Sequence, residues 1–214
     1  MPGASRNPQL LRTKAQMPKL ILASNSKTRK AMLANAGIQF DVQSAAVDEA
    51  DIKASLVDAG VPARDIADAL ADAKARSVSL MNPEALVLGG DQILVQDGEI
   101  FSKAKNRAEA VGKLEKLSGK THQLISAAVI YEQGQPVWRA LDAATLHVRD
   151  LGTEFINEYL NALGDDAYWS VGCYQIEGFG IQLFEKVEGS HFTILGMPLL
   201  AVLDFLRRRG MVGV

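Results

Sequence analysis

The chain has 214 residues, of which 48% are hydrophobic and 22% are charged, so it can bury a sizeable core in one domain. Its formal net charge of −2 argues against a long nucleic acid as partner, and no apolar run approaches the roughly 20 residues that span a bilayer. The single cysteine, Cys173, excludes an internal disulfide framework and is typical of a reducing cytoplasm.

The N-terminal segment, residues 1–17, contains basic residues but no continuous apolar stretch. A secretory signal requires such a stretch, so we predict a flexible extension, followed by a single two-lobed domain at residues 18–210. Seven basic residues precede the first acidic residue, Asp41. A local basic patch would suit a compact anion such as a triphosphate, although a solvated tail explains the first three charges equally well.

The domain opens with a strand-loop-helix-strand pattern. Lys19–Ala23 is a short apolar run that indicates a buried strand. Ser26 is a suitable N-cap for a helix that begins at Lys27 and stops at Gly37. Phe40–Val42 then predicts the next strand.

The polar residues at the start of this helix form the first candidate site. Ser24, Ser26, Thr28 and Arg29 lie where unpaired backbone N–H groups and the helix dipole can bind phosphate. A cation in the first turn opposes the dipole, so Arg29 either points away or is balanced by a bound anion. An ordinary serine-capped helix is the alternative, since the P-loop pattern is absent.

The middle of the chain is predicted to hold a helix, a strand and a hairpin. An alanine-rich helix runs over Pro62–Leu80. Ala85–Leu88 is a buried strand that ends in Gly89-Gly90-Asp91. Asp97-Gly98, between two short apolar runs, is the strongest hairpin signal in the chain.

Charged residues in this region give two further candidates. Asp91 follows two glycines that permit close approach, at the end of a strand where α/β proteins place ligands, and an ordinary turn is the alternative. Lys74 lies beside the apolar stripe of its helix, where it either extends to water or reaches an anion, and Lys103 is similarly ambiguous. The predicted stripe consists of Ile66, Leu70, Ala73 and Ser77.

The second half of the chain is predicted to be mainly antiparallel. Leu124–Tyr131 and Ala143–Val148 indicate two paired strands joined by a polar turn. The fold class is therefore mixed α/β, a two-lobed mixed sheet with flanking helices and a central cleft near residues 100–125. The other predicted elements are a helix that Asn106 and Glu109 cap and that ends near Leu117, a helix from the cap Thr153 to Gly164, a strand at Gln182–Val187 and a helix at Pro198–Arg208.

The last candidate is the glycine-punctuated segment from Gly172 to Gly180. Its repeated glycines predict a loop wrapped closely around something, and Glu177 between them could pair with the edge of a base; a purely structural loop is the alternative. The three histidines are scattered without the spacing of metal ligands, so no zinc site is expected.

Taken in this order, the segments from Lys19 to Arg208 resemble the Maf family of nucleotide pyrophosphatases. The resemblance implies a two-lobed α/β fold related to the inosine triphosphate pyrophosphatases, a cytoplasmic homodimer and Mg²⁺- or Mn²⁺-dependent cleavage between the α- and β-phosphates. The segments that carry it are LILASNSKTRKAMLANAGI, VDE at Val47–Glu49, LADAKA around Lys74, GGDQILVQDGEIFSKAKN, LSGKTH, GCYQIEGFGIQLFEKVEG and ILGMPL.

The resemblance also implies a role for each candidate residue. Asp91 would accept a proton from the attacking water or bind the metal, for which Glu49 would be a second ligand. Lys74 and Lys103 would complete the catalytic group. The residues that the resemblance places around the phosphates are Ser24, Ser26 and Arg29, together with the two lysines.

The choice of base is expected to depend on Thr28, Gln92 and Glu177. The family's usual Ser-Pro-Arg-Arg is Ser26-Lys27-Thr28-Arg29 here, which leaves the contact at Thr28 open. The branch that acts on dTTP and UTP has Arg, Thr and Gln at the three positions, whereas Gln92 and Glu177 resemble the branch that acts on 7-methyl-GTP. A glutamate can accept two hydrogen bonds from guanine and favours the positive charge of an N7-methylated base.

We therefore predict a 7-methyl-GTP pyrophosphatase. Two alternatives remain open. The first is a pyrophosphatase for dTTP and UTP, or a house-cleaning pyrophosphatase with a broad substrate range. The second is a non-catalytic nucleotide-binding regulator of cell division. A purely binding role would not require a carboxylate that activates water, which argues against the second alternative.

Overall fold

A computed structural model describes residues 18–213, so the extension predicted at residues 1–17 lies outside the described residues. The strands are β1 Leu20–Ala23, β2 Asp41–Val42, β3 Leu86–Gln96, β4 Glu99–Phe101, β5 Thr121–Glu132, β6 Gln135–Val148 and β7 Phe184–Glu188. The helices are α1 Lys27–Asn35, α2 Glu49–Asp58, α3 Ala63–Ser79, α4 Arg107–Leu117, α5 Thr153–Leu163, α6 His191–Ile194 and α7 Leu199–Arg208, with 3-10 helices at Gly164–Trp169 and Phe179–Leu183.

The strands form one mixed sheet in the order β2-β1-β3-β5-β6-β7, and β4 pairs with β3 outside this path. β1 is parallel to β2 and β3, whereas β3, β5, β6 and β7 are antiparallel to their neighbours. The core clusters place α3 against one side of the strands and α1 and α7 against the other. The predicted mixed α/β class is confirmed.

Side-chain caps start two helices where the sequence predicts. The hydroxyl oxygen of Ser26 accepts a hydrogen bond from the backbone N–H of Arg29 at 3.2 Å, at the start of α1. The side chain of Asn106 accepts one from the N–H of Glu109 at 3.0 Å, at the start of α4. Both contacts satisfy first-turn N–H groups that have no partner within the helix.

Both predicted hairpins are confirmed. Asp97 and Gly98 have positive φ angles of 50° and 82°, and Gln133 and Gly134 have 52° and 73°. Two successive residues with positive φ angles form a two-residue hairpin turn, whose twist matches that of the antiparallel strands it joins. β5 and β6 are longer than predicted because their pairing continues through the polar residues next to the turn.

Two predictions about individual elements are wrong, and one helix was not predicted. The strand predicted at Ala85–Leu88 does not end at Leu88: β3 continues to Gln96, because β5 pairs with it from Leu86 to Val95. Thr153 is not the N-cap of α5: Gly152 is in that position, and no side chain caps the helix. The helix that was not predicted is α2; its N-cap is Asp48, whose side chain accepts a hydrogen bond from the N–H of Asp51.

The buried face of α3 also differs from the predicted stripe. Lys74 is buried, 6% exposed, within this face, whereas Ala73 and Ser77 are only partly buried. The buried residues of α3 are Ile66, Ala67, Leu70, Ala71, Lys74, Ala75, Val78 and Ser79. A lysine within such a face requires a charged partner in the interior.

No helix among the described residues is long and apolar enough to cross a membrane.

Candidate active site

The candidate site lies at a gap in the sheet beside β3. β1 pairs with β3 only as far as Gly89, and β4 begins to pair with it at Leu94. Among the described residues, this edge of β3 therefore has no strand partner over residues 90–93. A cavity of about 870 Å³ opens there, a size typical of small-ligand sites.

The gap explains why two successive residues of one strand share a cavity. Side chains alternate between the faces of a strand, so Asp91 points to α3 and Gln92 points to α6. Both line the cavity, because no neighbouring strand separates the two faces at this point. Of the cleft expected near residues 100–125, Ser102, Lys103 and Leu124 contribute to the wall.

Lys74 joins the two carboxylates of the site. Its ammonium lies 2.7 Å from Oδ1 of Asp91 and 2.7 Å from Oε2 of Glu49. The side chains of Lys74 and Asp91 are 7% and 11% exposed, whereas that of Glu49 is 56% exposed. No described residue donates a hydrogen bond to the other Asp91 oxygen, Oδ2, which can therefore bind water or a cation.

The two carboxylates fit a divalent cation that a ligand would help to bind. Asp91 and Glu49 both contact the Lys74 ammonium, so a cation in the place of that ammonium would adjoin both carboxylates. Mg²⁺ is typically held by one or two carboxylates together with phosphate oxygens and water. Within residues 18–213, no group of three or more His, Cys, Asp or Glu side chains could hold a metal ion. A metal at Asp91 and Glu49 would thus take its remaining ligands from water and from phosphate oxygens of the substrate.

Arg29 turns from the helix end into the protein. Its Nε donates to the carbonyl oxygen of Gly196 at 2.7 Å, and its Nη1 donates to the hydroxyl of Ser24 at 3.2 Å. Burial lowers the pKa of Arg29, while the charges of Asp91 and Glu49 oppose that effect. The conflict with the helix dipole is relieved because the guanidinium is near these two carboxylates.

The N-terminus of α1 faces the same cavity. Ser24, Ser26 and Thr28 all line it, and Ser24 is buried. The backbone N–H groups of Lys27 and Thr28 have no acceptor among the described residues. These two donors and the positive end of the helix dipole can bind a phosphate group.

Lys53 is a site residue that the sequence analysis missed. It lines the cavity, and its ammonium donates to the carbonyl oxygen of Phe101 at 2.8 Å and to the hydroxyl of Ser102 at 3.1 Å. Burial lowers its pKa, Asp91 raises it and Lys113 lowers it. The available signal was its position four residues after Glu49, since this spacing places both residues on one face of a helix.

Lys103, Gln92 and Glu177 all line the cavity but differ in their contacts. Lys103 is exposed and makes no ion pair with a described residue. The amide nitrogen of Gln92 donates to the carbonyl oxygens of Thr193 and Ile194 at 2.9 and 3.0 Å, so only its amide oxygen remains for a ligand. Glu177 is exposed on its loop and can reach a ligand in the cavity.

The glycines around Glu177 have a structural explanation. A Cβ added at Gly172 would lie 2.2 Å from the ring of Tyr174, and one at Gly180 would lie 2.4 Å from the carbonyl oxygen of Gln175. The loop therefore wraps around its own side chains and backbone. This packing positions the exposed carboxylate of Glu177 at the cavity.

The cavity thus combines a helix N-terminus, several cations and two adjoining carboxylates beside a mixed α/β sheet. These features define a class of proteins that can bind a phosphorylated small molecule and polarise water next to it. The sequence profile of the family described as Maf-like protein matches residues 19–209. The chain belongs to this family.

Curated relatives match along almost their whole length. A protein from Jannaschia sp. named nucleoside triphosphate pyrophosphatase 1 is 48% identical over 92% of this chain and 99% of its own. One from Brucella abortus named 7-methyl-GTP pyrophosphatase is 50% identical over 89% of this chain and 96% of its own. A solved dITP/XTP pyrophosphatase from Mycobacterium abscessus covers 90% of this chain and 95% of its own at 15% identity, but its TM-score of 0.41 is too low to establish a shared fold.

Proposed function

We propose that this protein hydrolyses a nucleoside triphosphate to a monophosphate and pyrophosphate, and that 7-methyl-GTP is its preferred substrate. The observation that carries the hydrolytic role is the contact of Lys74 with both Asp91 and Glu49 in a cavity large enough for a nucleotide. The printed names of the relatives support the reaction class.

Binding of the triphosphate is assigned to the cationic part of the cavity. The free N–H groups at the start of α1 would donate to phosphate oxygens, and Ser24 and Ser26 would add hydroxyl donors. Arg29, Lys74 and Lys103 would neutralise the charge that otherwise repels a nucleophile from phosphorus.

Asp91 is assigned to the attacking water. Its Oδ1 is held by Lys74, which orients the carboxylate, and its Oδ2 is available to accept a proton from water. Glu49 and Asp91 would also hold Mg²⁺ or Mn²⁺, which supplies charge neutralisation at the phosphates when it is bound. With the metal ion bound to the two carboxylates, the ammonium of Lys74 would be free to contact a phosphate oxygen.

The preference for 7-methyl-GTP is assigned to Glu177 and Gln92. The Glu177 carboxylate can accept from the N1–H and 2-amino groups of guanine and favours the positive charge of the methylated base. The amide oxygen of Gln92 adds a second acceptor. The direct test is a panel of triphosphates assayed for pyrophosphate release, and faster turnover of dTTP or UTP would contradict this preference.

The catalytic assignment is tested by Asp91→Asn. The amide keeps the shape of the side chain but is a poor proton acceptor, so we expect turnover to fall by about 10²- to 10⁴-fold. Asp97→Asn is the matched control, because Asn-Gly suits the hairpin turn equally well and the site is unaffected. Unchanged turnover in Asp91→Asn would refute the mechanism, and tight nucleotide binding without hydrolysis in the native protein would favour a regulatory role.

The resemblance to the family further supports a homodimer in the cytoplasm, with the catalytic domain at residues 18–210. The mass in solution, measured by sedimentation at several protein concentrations, tests the oligomeric state. A monomer at micromolar concentration would contradict it.

A further inference from the structure

A tryptophan with no role in the proposed hydrolysis lines the cavity. Trp169 ends the 3-10 helix Gly164–Trp169, and it is 58% exposed despite its large apolar ring. Exposed apolar surface beside a cavity marks a position where a ligand can be covered. A planar ring of this kind is suited to stacking against a nucleotide base.

The ring of Trp169 already holds a cation. The ammonium of Lys27 lies 4.6 Å from the centre of the indole ring and 3.8 Å from a carboxylate oxygen of Asp166. The face of an indole carries negative electrostatic potential and attracts such a charge. Because Lys27 is 73% exposed, its long side chain can move away without leaving a buried gap.

The cavity wall around Trp169 differs in charge from the wall that would bind phosphate. Asp166 and Glu177, from the same part of the chain as Trp169, place two carboxylates at the cavity. Arg29, Lys53 and Lys74 line the part of the cavity near Asp91 and Glu49, where these three cations exceed the two carboxylates. A nucleotide with a positively charged base and negatively charged phosphates is complementary to both walls.

We propose that Trp169 stacks on the base of the substrate and selects a positively charged purine, and that Lys27 covers the ring until the base displaces it. This inference rests on the proposed preference for 7-methyl-GTP. A neutral purine that displaced Lys27 would remove the cation–π contact with Trp169 and would replace it with stacking alone. An N7-methylated guanine replaces one cation on the ring with another, so displacement itself favours the methylated base.

Fluorescence tests the stacking without any turnover. The chain has two tryptophans, and Trp138 packs against Phe205 away from the cavity. In a Trp138→Phe variant, Trp169 is therefore the remaining tryptophan. Titration with 7-methyl-GMP should quench its emission at concentrations at least about fivefold lower than GMP requires. Equal quenching by both nucleotides, or no quenching by either, would overturn the inference.

Kinetics separates selection from a structural role. The ratio of kcat/KM for 7-methyl-GTP to that for GTP should fall about fivefold or more in Trp169→Ala and by less in Trp169→Phe, which keeps a weaker aromatic face. Loss of activity on both substrates by the same factor would show a structural role and overturn the inference. If the native protein does not hydrolyse 7-methyl-GTP, the proposed function fails, while the fluorescence titration still decides the stacking.

Lys27→Met tests the displacement. Removal of the cation that covers the ring should tighten the binding of 7-methylguanosine, a probe without phosphates, in the same fluorescence titration. Weaker binding would show that Lys27 assists the base and would contradict the displacement.

Discussion

Lys74 shows how one residue can acquire a role that its local sequence does not specify. It lies within an apolar helix face, where an unpaired ammonium would be strongly destabilising. Asp91 and Glu49 compensate its charge, and each comes from a different element. In the absence of a ligand, Lys74 therefore occupies the place between the carboxylates that a divalent cation would also favour.

Lys74→Met should have opposite effects on metal binding and on turnover. Without the ammonium, Asp91 and Glu49 would bind Mn²⁺ about tenfold more tightly, because a positive charge next to both is removed. Turnover of the triphosphate should fall by about 10²-fold or more, since a phosphate contact and the orientation of Asp91 are lost.

Calorimetric titration with Mn²⁺ and an assay of pyrophosphate release measure these two effects. Lys120→Met, at an exposed lysine outside the cavity, is the control. If Mn²⁺ binding in Lys74→Met weakened instead, Lys74 would support the metal site and would not compete with it.

At the scale of elements, the position of Lys74 depends on how closely α3 approaches β3. A Cβ added at Gly89 would lie 2.3 Å from the carbonyl oxygen of Ala71 and 2.8 Å from the Cβ of Ala75. The glycine is thus required for close packing and not for a turn, since no positive φ occurs there. This contact also sets the distance from Lys74 to Asp91, two residues further along β3.

Gly89→Ala should therefore destabilise the protein by about 1–3 kcal/mol, because α3 must move away from the sheet. Turnover should fall as well, since Lys74 moves with the helix. Gly112→Ala is the matched control, because a Cβ added at Gly112 in α4 meets no atom within 4 Å. Alanine is more favourable than glycine within a helix by up to about 1 kcal/mol, so this variant should be as stable as the native protein or more stable. Urea unfolding measures both changes, and equal unfolding midpoints for the two variants would contradict the packing argument.

α2, unlike α3, is attached to the rest of the protein largely by polar contacts. None of its residues is fully buried, and Ile52 and Leu56 only partly cover the core beneath them. Its polar contacts are the ion pair of Glu49 with Lys74 and the hydrogen bonds of Lys53 to Phe101 and Ser102. The site residues of α2 are thus also part of what attaches the helix.

At the scale of the whole molecule, the stability of the fold should depend on pH through a buried histidine. His122 is 2% exposed, and its Nε2 lies 2.6 Å from the hydroxyl of Tyr174. Its Nδ1 has no hydrogen-bond partner among the described residues. Burial, with a smaller effect of His147, lowers the pKa of His122 to about 4.

A lowered pKa in the folded state means that the unfolded chain binds the proton first. His122 has no effect on stability above about pH 6.5, and the free energy of unfolding should then fall as the pH decreases towards 4, by on the order of 3 kcal/mol. His122→Gln keeps a partner for Tyr174 but does not titrate. Urea unfolding of both proteins between pH 7.5 and 4 tests this, and parallel curves for the two would contradict it.

Much of the fold follows from local signals in the sequence. Ser26 and Asn106 cap their helices, and the turn at Asp97-Gly98 forms as expected, because these residues satisfy or bend the backbone within a few positions of themselves. α2 was missed because its apolar side chains are too few and too exposed to form a clear stripe. The true length of β3 was missed because its pairing with β5, distant in the chain, carries it through the glycines.

The sequence by itself determined the family, the α/β class and the residues from which the candidate site is built, since motifs and caps are local properties of the chain. Only the tertiary structure decided that Asp91 and Gln92 meet in one cavity, because the gap beside β3 depends on where β1, distant in the chain, stops pairing with it. It also decided that Lys74 lies between two carboxylates and that Lys27 covers Trp169. Such contacts join residues far apart in the chain, and the packing of the whole sheet and its helices determines them.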